Sequence, residues 1–146
     1  MDLAAAARTV VRLVLAAILL LAGVGHFTNH EEFLAQTPSF LPARSLIVWG
    51  SGVVEIGLGL ALVAWRQRRR MVGLAVAAFF VLIFPGNVYQ ALAGHDAFGL
   101  DSDAARLVRL AFQPVLVLAA LWSTRAWPPW GIATPRSGYP TGHGPA

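Results

Sequence analysis

The chain has 146 residues, 57% hydrophobic and 12% charged, with eleven arginines, no lysine and a formal net charge of +4. A soluble domain carries about 25% charged residues, so this composition, with a mean hydropathy of +0.63, points to a single membrane-embedded domain. The absence of cysteine excludes disulfides, thiolate catalysis, iron–sulfur ligation and covalently attached haem within the chain.

The first apolar segment covers 9–27, with Arg12 near its start placed to snorkel outward. Arg8 and Arg12 followed by the apolar stretch 13–25 also fit a signal peptide. Retention as a helix is expected, because His26 and Phe27 continue the pattern without an A-x-A cleavage site. The connection 28–45 carries Phe33, Leu34, Phe40 and Leu41 around Pro38 and Pro42. It is too apolar for a freely solvated loop and is expected to lie on the membrane surface. The second segment, 46–65, has one ionisable side chain, Glu55, near its middle. Residues 66–70 then place four arginines in five positions. The third segment, 71–93, is interrupted by Pro85-Gly86. The following connection is acidic, and Asp103 is expected to cap the next helix. The fourth segment, 106–123, contains Arg109, Gln113 and Pro114. A spanning helix needs about 20 residues, so the fold class is all-α, a four-helix transmembrane bundle. Residues 1–125 form the transmembrane domain. Residues 126–146 open on Trp127-Pro128-Pro129-Trp130, an interfacial anchor, and become rich in proline and glycine, which predicts a disordered tail.

Arginine placement predicts orientation. With both termini and the 66–70 loop cytoplasmic, the inner side holds Arg8, Arg12, Arg66, Arg68, Arg69, Arg70, Arg125 and Arg136, against Arg44, Arg106 and Arg109 outside. That excess follows the positive-inside tendency. Arginines clustered at segment ends are topogenic, so no nucleic-acid partner is expected.

Four polar residues are then set at comparable depth: His26, Glu55, Asn87 and Gln113, one from each helix, all in the outer half or at the midplane. A carboxylate at that depth costs a few kcal/mol on insertion scales, about 3 at the helix centre, and is a functional candidate by default. Ser51, Gly52, Glu55 and Gly59 share one helix side. Small residues mark the packed face of a membrane helix, so Glu55 is expected to point into the bundle. Pro85 and Pro114 each free a backbone carbonyl, tolerated at depth only where it is shielded from lipid. Together these features predict a polar pocket opening outward. Arg109, Trp49 and Tyr89 are further ligand-binding candidates at its rim.

Each residue also has a plainer role. Glu55 as a neutral acid can tie two helices together, or Arg109 can pair with it. His26 can make a structural hydrogen bond. Asn87 and Gln113 serve as interhelical glue. Trp49, Phe84 and Tyr89 suit the aromatic belt. A bis-histidine haem needs a second helical histidine, whereas His30 and His95 fall in connections, and no metal is expected.

The motifs Gly25-His26-Phe27, Leu41-Pro42, Ser51-Gly52-Val53-Val54-Glu55-Ile56-Gly57-Leu58-Gly59, the arginine-rich loop, Phe84-Pro85-Gly86-Asn87 and Arg109-Leu110-Ala111-Phe112-Gln113 resemble the DoxX-like family of small four-helix membrane proteins. The resemblance spans about 8–122. It implies a multi-pass protein of a bacterial inner or plasma membrane. It also implies a quinone-linked or redox-associated subunit, with a bound quinone and a protein partner in a membrane complex. On this reading His26 and Glu55 are the catalytic candidates, moving protons, and Asn87 or Gln113 binds a carbonyl oxygen. A non-enzymatic scaffold or assembly partner of a redox or stress complex is the alternative, with the buried polar residues fixing helix register.

Overall fold

The computed structural model describes residues 2–94 and 102–127, and these form five helices and one 3-10 turn without a strand. Helix α1 runs Leu3–Thr28. It starts at Leu3 rather than at residue 9, because Ala4 to Ala7 are strong helix formers and the Asp2 side chain accepts from the Ala4 amide at 3.0 Å. Helix α3 covers Arg44–Ala64, α4 covers Arg69–Ala93 and α5 covers Asp103–Ser123. The turn Arg66–Arg68 joins α3 to α4. Helix α4 ends on Gly94, whose φ of 65° is the left-handed cap that glycine adopts without steric cost.

One local expectation is refined and one is corrected. The connection after α1 forms a short helix, α2, His30–Gln36, whose Gln36 is buried. Its C-terminal carbonyls find a donor in Arg44, which bonds Leu34 O and, at 2.9 Å, Thr37 O. The cap of α5 is Ser102, whose side chain accepts from the Ala105 amide at 3.2 Å. Asp103 instead occupies the first turn and pairs with Arg106 at 2.8 Å.

Four stretches are long and apolar enough to cross a membrane: Leu3–Thr28, Arg44–Ala64, Arg66–Ala93 and Asp103–Ser123. They run up and down in turn. Helix α1 packs most extensively on α3, and α4 on α5. Many large apolar side chains point outward, among them Leu21, Val53, Leu60, Leu82 and Val108. A surface this apolar is untenable in water and suits a lipid surround. Both proline-bearing helices are continuous through Pro85 and Pro114.

The interior is divided along the bundle axis. The apolar core, built from residues such as Leu15, Leu19, Leu62, Val76 and Ala120, fills the half next to the arginine-rich turn. The buried polar side chains His26, Glu55, Asn87, Gln90 and Gln113 occupy the other half. The tail beyond Trp127, and His95, Asp96 and Asp101 of the α4–α5 connection, lie outside the described residues.

Candidate functional site

Glycines set the first part of the site. An added Cβ at Gly52 would stand 2.7 Å from His26 Cβ, and one at Gly23 would stand 2.7 Å from Ile56 Cγ1 and 2.9 Å from Gly52 O. At Gly59 it would meet Leu20 Cγ at 2.9 Å and Ala16 O at 3.1 Å. The absence of these side chains lets the backbones of α1 and α3 touch along three turns, the close approach that small residues permit in membranes. Glu55 lies on this seam between Gly52 and Gly59 and points inward, as its small neighbours predict.

Across the seam, His26 Nε2 stands 3.4 Å from Glu55 Oε2. Only 6% of His26 and 5% of Glu55 is exposed. The pair is at ion-pair distance without hydrogen-bond geometry, and neither His26 Nδ1 nor Glu55 Oε2 has a hydrogen-bond partner among the described residues. Buried polar atoms are nearly always satisfied, so these two stand out beside the bonded amides of the same half. Phe33 of α2 covers the imidazole, its ring stacked at 3.7 Å and 25°.

The amides form a second cluster on α4 and α5. Asn87 Nδ2 donates to Gln113 Oε1 at 3.0 Å, and Gln113 Nε2 donates to Phe80 O at 2.5 Å. Pro85 cannot serve the carbonyl of Val81, one residue from the carbonyl that Gln113 reaches. The donor thus reaches the carbonyl next to the one that the proline leaves unserved, not that carbonyl itself. Beside it, Arg109 donates to Gln90 Oε1 at 2.7 Å and to Gln36 Oε1 at 2.5 Å. Arg109 is therefore held by two neutral amides and does not pair with Glu55.

The four sequence candidates meet as two pairs, His26 with Glu55 and Asn87 with Gln113, and no hydrogen bond joins the pairs among the described residues. Helix α2 touches both clusters, through Phe33 and through Gln36. Trp49 lies against the His30 ring at 5.2 Å, and His30 Nε2 is 3.3 Å from Ser45 Oγ. Tyr89 donates to Ser39 Oγ at 3.4 Å and meets Phe40 edge-on. These two aromatic residues therefore serve the rim and not the buried pair. Gln90 and Gln36 escaped sequence reasoning. Gln90 follows Asn87 by three, a spacing that puts them on one helix face. Gln36 gave no signal, because a seven-residue helix shows too little periodicity. Among the described residues no group of three acidic or histidine side chains is placed to hold a metal ion.

A family profile described as a domain of unknown function (DUF8561) matches residues 15–124. The chain belongs to the DUF8561 family. No curated protein and no solved structure matches it. The DUF8561 region takes in every residue of both clusters, starting inside α1 and ending at Thr124 just past α5.

Proposed function

We propose that this protein is a quinone-linked or redox-associated subunit of the cell membrane, akin to the DoxX-like proteins, with both termini cytoplasmic. In this reading the His26–Glu55 pair is its proton-handling site. The observation that carries the reading is the buried pair at 3.4 Å. One proton moving between imidazole and carboxylate converts an ion pair into a neutral pair. Such a pair can take up or release a proton for a reaction beside it.

A quinone supplies two-electron, two-proton chemistry when bound, and its carbonyl oxygens need donors. His26 Nδ1 is buried and free of a hydrogen-bond partner, so it fits one carbonyl. Asn87 and Gln113 each spend one of two amide N–H donors inside the bundle and keep the second for the other carbonyl. Glu55 then relays the proton and fixes the imidazole across the seam. Electrons come from a partner protein or directly from a substrate, since the chain has no cysteine to ligate a cluster.

The experiment is lipid extraction of protein purified in mild detergent. Substoichiometric quinone is expected in the wild type and is lost in Glu55→Gln and His26→Ala. A second reading, a non-enzymatic scaffold for a membrane complex, is favoured by the closed network of Asn87, Gln113 and the Phe80 carbonyl, which locks helix register without a ligand. Wild-type protein without quinone, together with both variants folding and functioning normally, selects the scaffold.

A further inference from the structure

The arginine-rich end holds a buried cation that no acidic side chain meets. Arg12 of α1 is 7% exposed, and its Nε has no hydrogen-bond partner among the described residues. Arg8 lies one turn earlier on the same stripe. Its guanidinium sits 5.4 Å from the centre of the Trp122 ring, and its Nε is also unpartnered. Arg66 and Arg69, where α3 hands over to α4, lie at this same end of the bundle and are exposed. Like charges four apart on a helix repel, and a buried guanidinium is tolerated when acceptors or an anion meet it. Among the described residues no acceptor is bonded to Arg12 Nε. Asp2 is exposed and caps α1, and the other six acidic residues belong to α2, α3 or the stretch between Gly94 and the first turn of α5.

An apolar groove adjoins these cations. Val11, Val115, Leu118, Ala119, Trp122 and Trp127 line an open cleft of about 470 Å³ between α1 and α5. Val11 is the chain neighbour of Arg12, and Trp122 carries Arg8.

We propose that Arg8, Arg12, Arg66 and Arg69 bind the phosphate of an anionic phospholipid, with one acyl chain lying in the α1–α5 groove. Guanidinium groups match phosphate oxygens in geometry and charge. The groove selects a lipid over free phosphate. A net-negative headgroup is selected over a zwitterionic one, whose own cation would face four arginines. Burial of Arg12 separates this seat from the diffuse attraction that any polybasic loop exerts on a membrane.

Native mass spectrometry of the full chain in mild detergent tests the site, with phosphatidylglycerol, phosphatidylcholine and inorganic phosphate titrated separately. One retained phosphatidylglycerol per chain is expected, bound about tenfold tighter than phosphatidylcholine. Arg12→Gln should weaken it about tenfold and Arg8→Gln about fivefold. Arg70→Gln removes the same charge from an exposed position of the same loop that is outside the proposed seat, and should cost about twofold at most. If Arg12→Gln fails to fold, the double variant of the exposed pair, Arg66→Gln with Arg69→Gln, carries the same expected loss. Equal losses in Arg12→Gln and Arg70→Gln overturn the site, because they mark diffuse attraction. Displacement of the lipid by millimolar inorganic phosphate overturns the lipid assignment.

Discussion

The buried side chains differ in how completely their bonding is met. Gln113 uses both ends of its amide, accepting from Asn87 and donating to Phe80 O. Gln113→Leu removes both bonds, leaves the Asn87 donor without its partner and should destabilise the bundle by about 1–2 kcal/mol, the range model peptides give for interhelical hydrogen bonds in membranes. Steric-trap or SDS unfolding in micelles measures this; an unchanged midpoint would mean that Asn87 and Phe80 find other partners. Glu55 is the opposite case, with an oxygen unmet at the heart of the seam. Its inward aim was legible from Gly52 and Gly59 alone, since small residues at helical spacing mark a packed face. The pairing of Arg109 was not legible. Its partner Gln36 sits 73 positions away on a helix too short to leave a periodic trace.

At the scale of elements, contact between α1 and α3 depends on missing side chains. Gly52→Val should destabilise the bundle by about 1–3 kcal/mol, the usual cost of overpacking, and move His26 away from Glu55. Gly57→Val is the control on the same helix, because an added Cβ there meets nothing within 4 Å; it should change stability by no more than about 0.5 kcal/mol. An equal effect of both would remove the seam as the cause. The start of α4 repeats the device, since Gly73 leaves room for Thr124, whose Oγ1 would lie 1.8 Å from an added Cβ. Helix α2 depends on Arg44 for its last carbonyls. Arg44→Ala should speed hydrogen exchange of the 30–36 amides while leaving those of α3 protected. Span existence was legible because twenty apolar residues admit few other fates. The N-terminal limit of α1 was not, since alanine propensity extends a helix past its apolar run.

For the whole molecule, the apolar and polar halves of the interior follow from the sequence read by depth. Arginines gather at the apolar-core end, and the buried amides and the His26–Glu55 pair gather at the other. If that bias sets orientation, a reporter fused after Arg70 is cytoplasmic and one at Gly94 is external. The opposite labelling would place the polar half on the inner side and end its assignment as an outward site. What depth could not give was partition within the polar half. Depth ranks residues along the membrane normal but says nothing of which helices are neighbours, so four candidates at one level resolved into two separate pairs.

Phe33 and Gln36 sit three residues apart on one short rod, one resting on the imidazole and the other gripping the guanidinium of Arg109. Because one short rod carries both contacts, a displacement of α2 as a unit would reach both inner clusters together.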